Sequence, residues 1–322
     1  MSHHPDTQYH PSLPPELRAA PLEFGAWSQT QLLNDQRKST PTKPLYHYTD
    51  MDALKGILGT ERLWCFSHLH QTDREEFAYS LRVARRVIKA IGRTKDEVTH
   101  HFCACLDDML ENNSFTDTFE FYLFSLSRHR DHRQQWRNYG QKGRGFAIGF
   151  APALFQATQS NLNERANENN FVGRVLYGNF ATEHRHRRVI ERAAKIASRV
   201  ARTNLSLTRA GIPPSYSVTM AHEVIASQLI WNCLTAKRNK YSDEQEVRYI
   251  IMGVCEKFDG LRKVYNGKSY IELPLKFKDQ CGIMEVLVGP DAPAGSKEMI
   301  REFLKAQGYP DGIPVRRSLV TI

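Results

Sequence analysis

The chain has 322 residues, of which 41% are hydrophobic and 25% charged, and 44 Lys and Arg against 35 Asp and Glu give a net charge of +9. This length admits one large domain or two ordinary ones, and the apolar share excludes a disordered chain. No apolar run approaches the ~18 residues of a membrane span, and the opening MSHHPDTQYHPSLPPEL lacks the charged and apolar regions of a secretory signal, so a cytoplasmic location is expected. The positive excess favours a polyanion or a phosphate-bearing ligand without choosing between them.

Residues 1–43 are rich in Pro, Gln, Ser, Thr and Asn and read as a partly ordered extension, with a short helical turn around Leu32 and Leu33. A single domain is expected over 44–322. It opens with a strand at 45–49, followed by a helix over 51–58 that is capped by Thr49 or Asp50 and carries Leu54, Ile57 and Leu58 as its apolar stripe. Gly59 closes it, and a short strand follows at 63–66. Asp73 caps a long helix over 75–91, with Phe77, Leu81, Ala84, Ile88 and Ile91 as a core stripe and Arg82, Arg85, Arg86 and Lys89 away from it. A further helix covers 95–110. Its His100, His101, Cys103 and Cys105 are the tightest group of metal-ligating types, but His101 and Cys105 alone fall short of a closed site, so no metal is expected. Cys65, Cys233, Cys255 and Cys281 sit singly among apolar neighbours, as small buried hydrophobes do.

The stretch 121–150 passes from alternating large apolar residues through a basic, aromatic-bearing helix to a glycine turn and a second apolar strand, which frames a crevice. Beyond it come a helix at 152–157, a strand at 171–177, and a helix over 181–202, the most basic segment. There Arg188, Arg192, Lys195, Arg199 and Arg202 recur at helical spacing beside an apolar stripe of Val189, Ala193, Ile196 and Val200. A solvated face is favoured over a nucleic-acid groove, since no aromatic residues interleave with the cations as in single-strand binders. A helix at 218–236, a strand at 246–254, a hairpin over 263–273 turning at Asn266-Gly267, a strand at 283–289, a helix to 307 capped by Ser296 and a strand at 315–322 complete the chain. Without regular βαβ alternation, the class is α+β with a mixed, largely antiparallel sheet flanked by helices.

The glycine-rich run 140–145 lacks the GK[ST] ending of a phosphate loop and leads into a strand. Neither a G-x-S-x-G elbow nor an H-E-x-x-H pair is present. Three clusters carry the chemistry-bearing side chains: Tyr46, His47, Tyr48 and Thr49 at a strand end; Arg133, Trp136, Arg137 and Tyr139 on the central helix; and the run 241–248. Alternation along a strand beginning near Glu244 puts Glu244, Glu246 and Arg248 on one side, with Val247, Tyr249 and Ile251 on the other.

The order of these motifs resembles the bacterial domain-of-unknown-function family 2971 over about 45–322. The matching residues are His47-Tyr48-Thr49; Ser125, Ser127, Trp136, Tyr139, Gly145 and Phe150; Lys237, Tyr241, Glu244, Glu246 and Arg248; and Val288-Gly289-Pro290. Where that family shows Asn-Asp-Pro-x-Glu, this chain has Thr72-Asp73-Arg74-Glu75-Glu76 and keeps only the acidic positions. The pattern is similar to that of ADP-ribosyltransferases, which implies a split β-sheet core and NAD as a substrate. On that resemblance Glu246 stabilises the oxocarbenium-like ribose, and Glu244 orients the acceptor. His47, Tyr48, Thr49 and Ser125 would line the NAD site. Trp136 or Tyr139 would stack on nicotinamide, while Arg133, Arg137, Arg144 and Arg248 supply charge near the pyrophosphate. The implied activity is NAD-dependent ADP-ribosyl transfer to a protein or nucleic acid, in a toxin or phage-defence setting. The alternative is a non-catalytic module that binds a nucleotide or nucleic acid, with polyanion contact at Arg188, Arg192, Lys195, Arg199 and Arg202. A third reading makes the Glu–Arg cluster a plain surface feature of a partner-binding protein. The transfer reading requires His47, Tyr139 and Glu246 to converge.

Overall fold

The structure, a computed structural model, describes residues 13–70, 75–155, 169–204, 211–274 and 282–322. In chain order the helices are α1 (Ala19–Ser39), α2 (Met51–Thr60), α3 (Glu75–Gly92), α4 (Glu97–Glu111), α5 (Arg133–Asn138), α6 (Asn179–Thr203), α7 (Pro214–Val224), α8 (Ile230–Leu234) and α9 (Ser296–Ala306). The strands are β1 (Leu45–Thr49), β2 (Arg62–Ser67), β3 (Phe119–Ser127), β4 (Phe146–Phe150), β5 (Asn169–Arg174), β6 (Leu176–Tyr177), β7 (Ala236–Lys237), β8 (Glu246–Val254), β9 (Lys263–Tyr265), β10 (Lys268–Pro274), β11 (Ile283–Val288) and β12 (Val315–Arg317). The class is α+β, as its patterning implies. None of the described helices is long and apolar enough to cross a membrane.

Contacts cluster into two units where one domain over 44–322 is the expectation. One unit draws on Met1–Arg37, Asp73–Glu120 and Leu176–Lys240; the other draws on Lys38–Thr72, Phe121–Val175 and Tyr241–Ile322. The chain enters each unit three times, an arrangement that no composition shift along the sequence marks.

The first unit is helical, with α3, α4, α6 and α7 packed on one another. Its α1 replaces the partly ordered extension expected from residues 1–43. Leu17, Ala20 and Phe24 are fully buried, and Asp35 accepts hydrogen bonds from Arg185 Nη2 at 3.3 Å and Trp231 Nε1 at 3.0 Å. The polar composition hid this helix because its apolar contacts are few and its anchoring is polar. On α3 the buried face is Tyr79, Ser80, Val83, Ala84, Val87 and Ile88, rotated from the expected stripe through Phe77, Leu81 and Ile91. The reason is that α3 is gripped by both α4 and α6, and Ser80 is buried because its hydroxyl bonds His186 Nε2 of α6 at 3.0 Å. Burial depresses the His186 pKa to about 3 and keeps the ring neutral. The predicted stripe of α6, Val189, Ala193, Ile196 and Val200, is buried as expected.

The second unit holds a ten-stranded sheet. Its path runs β12-β11-β4-β1-β3-β2-β10-β9; β8 attaches to β3 and carries β5. The pairs β1–β3, β1–β4, β2–β3, β2–β10, β9–β10, β4–β11 and β5–β8 are antiparallel, and β11–β12 is parallel. Asn266 and Gly267 both take positive φ in the turn between β9 and β10, as the hairpin reading expects. Asp50 caps α2 by accepting from Ala53 N at 2.8 Å. That helix closes two residues beyond Gly59, on Glu61 in the left-handed region. Gly295 rather than Ser296 occupies the cap position of α9. The expected cap Asp73 lies outside the described residues, as does part of the expected helix at 152–157.

The two faces of the sheet differ. Leu45, Phe124, Leu126, Ile148, Val247 and Tyr249 join the large core together with Leu54, Ile57 and Leu58 of α2. The opposite face carries a smaller cluster of Tyr46, Tyr48, Trp136, Ala147 and Leu287. The glycine-rich run after α5 is closed by its own backbone. Gly143 N and Gly145 N bond Gly140 O at 2.9 Å, Gly289 N bonds Gly145 O at 2.9 Å, and Asp291 N bonds Gly143 O at 2.9 Å. A Cβ on Gly145 would stand 2.3 Å from the Thr49 carbonyl oxygen, so only glycine lets these chains meet.

Two stability measurements check this account. Gly145→Ala is expected to lower the unfolding free energy in urea by about 2 kcal/mol through overpacking. Gly56→Ala, inside α2 with nothing within 4 Å, is expected to stabilise by up to about 1 kcal/mol. The second concerns Glu223 of α7, whose carboxylate faces Gly25 of α1 and whose pKa burial raises to about 7. The folded state then holds this proton to higher pH than the unfolded chain does. Its contribution to stability therefore falls as pH rises from the ordinary carboxylate range to about 7. Thermal melts of Glu223→Gln are expected to lose that part of the pH dependence.

Candidate functional site

In the sheet unit, strand alternation decides which of the expected site residues meet. Tyr46 pairs with Ser127 and His47 with Ile148 across β1. His47 and Thr49 therefore share the side of Leu45, facing the large core. The His47 ring packs on Phe124 with centroids 4.4 Å apart, and its Nδ1 donates to the Ser125 carbonyl oxygen at 2.9 Å. Burial lowers its pKa. Glu246 and Arg248 alternate with Val247 and Tyr249 of the same core and so lie on the other face. The structure thus separates His47 from Glu246 by the thickness of the sheet, in place of the three-way convergence that the sequence suggests.

Tyr139 and Glu244 do come together. The Tyr139 hydroxyl donates to Glu244 Oε1 at 2.8 Å, and Tyr139 remains 40% exposed. The backbone of Glu244 is held from β3 and α5: its carbonyl accepts from Ser127 Oγ at 2.8 Å and from Gln135 Nε2 at 3.1 Å. Glu246 is buried and is gripped by Arg248 through two hydrogen bonds, Nε to Oε1 at 2.7 Å and Nη2 to Oε2 at 3.0 Å. The two residues are neighbours on one side of β8, as the alternation predicts. The fork satisfies both carboxylate oxygens and neutralises the charge.

Trp136 is corrected from a stacking surface to a core residue. It is fully buried, packs edge-on against Tyr48 at 4.8 Å, and donates Nε1–H to Asp131 Oδ1 at 2.6 Å. Asp131 also accepts from Ser318 Oγ at 2.6 Å and Leu319 N at 3.0 Å. The Tyr48 hydroxyl donates to the carbonyls of His129 and Arg130 at 3.0 and 2.9 Å, and burial pushes its pKa well up. Arg130 forks onto Glu285 at 2.6 and 2.7 Å. Burial alone would raise the Glu285 pKa, but Arg130 and Tyr46 outweigh it and hold the carboxyl below its usual range. The expected wall of a crevice is therefore a clamped loop. Ser125 is half-buried, while Arg133, Arg137 and Arg144 stand exposed.

The helical unit contains a site that the sequence did not single out. A cleft of about 700 Å³ is lined by Tyr79, Val83, Gly178, Asn179, Asn239 and six cations: Arg82, Arg85, Arg86 and Lys89 of α3, with Arg238 and Lys240 beyond β7. On α3 the four recur at i, i+3, i+4 and i+7, which makes one face. What sequence spacing hides is the return of 238–240 to that face. It is set by β6–β7 pairing (Leu176 with Ala236, Tyr177 with Lys237) and by a buried ion pair, Lys237 Nζ to Glu76 Oε1 at 2.7 Å. Three acids steady the cations. Glu75 holds Arg82 at 2.9 Å and Arg238 at 3.2 Å; Asp107 holds Arg85 at 2.7 Å and Lys89 at 3.4 Å; Glu111 holds Arg85 at 2.9 Å. Arg86 is exposed, and Arg238 lies over the Tyr79 ring at 5.8 Å. The charge excess is positive.

The basic stripe of α6 is occupied differently. Arg199 and Arg192 pair with Glu23 of α1, Arg188 bonds Gln31 and lies over Trp27, and Arg202 bonds Asp96 at 3.0 Å. Lys195 remains exposed. This is the packed, solvated face of the sequence reading. Among the described residues no group of three or more His, Cys, Asp and Glu is placed to hold a metal ion.

Residues 135–249 match the model of a family described as a protein of unknown function (DUF2971). The match takes in α5 from Gln135 on, the Tyr139–Glu244 contact, the Glu246–Arg248 pair and Lys237 with the 238–240 return. No curated protein and no solved structure matches the chain.

The Glu246–Arg248 pair yields a prediction. Arg248→Leu leaves a buried carboxylate without its fork and is expected to cost about 3 kcal/mol or more in urea unfolding. Glu246→Leu combined with Arg248→Leu is expected to cost less than that single change.

Proposed function

We propose that the protein binds a phosphate-bearing ligand, a nucleotide or nucleic acid, in the basic cleft of its helical unit. The observation that carries this reading is the convergence of six cationic side chains from two chain segments on one concave surface. Glu75, Asp107 and Glu111 pair with Arg82, Arg238, Arg85 and Lys89, and the positive excess that is left suits an anion. The volume of about 700 Å³ falls in the range of about 300–1,000 Å³ usual for small-ligand sites. Arg guanidinium groups fork onto phosphate oxygens with two parallel hydrogen bonds, and Arg86 is the cation with the fewest protein claims on it.

NAD-dependent ADP-ribosyl transfer on an ADP-ribosyltransferase-like fold is the second reading. The Tyr139–Glu244 contact favours it, because it sets an exposed aromatic ring beside a carboxylate two residues from Glu246. Against it stand the fork that already neutralises Glu246 and the position of His47 on the other face of the sheet. Transfer of label from NAD to a lysate component, abolished by Glu246→Gln, would reverse the order of the two readings.

The binding reading is tested by calorimetric titration with ATP and with tripolyphosphate at several salt concentrations. Affinity is expected to fall as salt rises. Arg86→Glu with Arg238→Ala is expected to weaken both ligands at least about tenfold, as loss of charge-assisted bonds does, whereas Arg188→Glu leaves them unchanged. Equal affinities in the parent and the double variant would overturn the assignment of the cleft.

A further inference from the structure

Phe180 is 86% exposed, the most exposed aromatic ring among the described residues. It sits in the first turn of α6, directly after Gly178 and Asn179, which line the basic cleft. Asn179 is fixed there, since its Oδ1 accepts from the Tyr79 hydroxyl at 2.8 Å. One turn on, the His184 ring lies nearly parallel to Phe180, with centroids 6.4 Å apart and planes 16° apart. A phenyl ring left in water, next in the chain to the cleft-lining Gly178 and Asn179, gains free energy when a flat apolar surface covers it. The ligand that suits both features carries closely spaced negative charge and flat rings that are free to stack.

We infer that the ligand of the cleft is a single-stranded nucleic acid, with its phosphates among Arg86, Arg238 and their neighbours and a base stacked on Phe180. This rests on the reading of the cleft as a phosphate site and narrows it. A duplex keeps its bases stacked inside and offers no face to Phe180. An acidic peptide offers charge without the rings. Stacking of bases on aromatic side chains combined with a cationic groove is how proteins hold single strands with little sequence preference. The clue missing from the sequence was that the aromatic and the cations lie far apart in the chain: Phe180 on α6, the arginines on α3 and at 238–240.

The test is fluorescence anisotropy of the full chain with a short labelled single-stranded oligonucleotide, with unlabelled tripolyphosphate, and with the duplex of the same sequence. Phe180→Ala is expected to weaken the single strand roughly tenfold and to leave tripolyphosphate affinity as it was. The parent is expected to bind the single strand more tightly than the duplex. A duplex bound as tightly as the single strand, or a Phe180→Ala variant with undiminished single-strand affinity, would overturn the inference while leaving the cleft a phosphate site. A parent that binds neither oligonucleotide nor tripolyphosphate would overturn both. Phe180→Trp, which keeps a stacking surface, is expected to retain binding and separates loss of stacking from loss of structure.

Discussion

The site in the helical unit depends on one buried ion pair, Lys237 to Glu76, at 2.7 Å with side chains 4% and 11% exposed. Taking two such charges out of water is costly, and a well-packed apolar pair would stabilise as well or better. What the pair adds is position. Glu76 stands in the first turn of α3 and Lys237 ends β7, so the bond pins the segment 238–240 to the helix that carries the other four cations. With α3 and β7 held in register, Arg82 and Arg238 share Glu75, and the cleft has fixed walls. Lys237 lies within the family match, and Glu76 lies outside it.

In the sheet unit the same logic applies to groups that look chemical in the sequence. Trp136, Asp131, Tyr48, Arg130 and Glu285 carry the polar atoms of an active site, yet each is consumed by a neighbour. Gly145 and Gly289 are there because backbones touch, not because a phosphate does. Glu246 and Arg248 satisfy each other. The pairing leaves Tyr139 as the aromatic of this group that reaches solvent.

Much of the fold was legible. Alternation over 246–251 assigns both faces of β8, Asn266-Gly267 marks the β9–β10 hairpin, and the stripes of α2 and α6 are buried as read. Each of these is a local pattern. The misreadings have a common cause in tertiary context. α1 is held by Asp35 and a few apolar residues, too sparse a stripe to register. The buried face of α3 is turned because two helices grip it, and a serine is inside because a histidine meets it. The two contact units arise from chain crossings that leave no trace in composition. Among the expected site residues, strand direction separates His47 from Glu246 and Trp136 points inward, while Tyr139 meets Glu244 and Glu246 shares one side of β8 with Arg248. The cleft escaped notice because its cations are local on α3 but complete only when 238–240 return.

The central claim is that the ligand sits in the basic cleft, next to Phe180, which follows the cleft-lining Asn179 in the chain. The most direct measurement is a crystal structure of the full chain with a short single-stranded oligonucleotide. The account predicts phosphates within hydrogen-bonding distance of Arg86 and Arg238 and a base lying flat on Phe180. An oligonucleotide found along Arg188 and Lys195 of α6, or beside Tyr139 and Glu244 in the sheet unit, with the cleft empty, would contradict it.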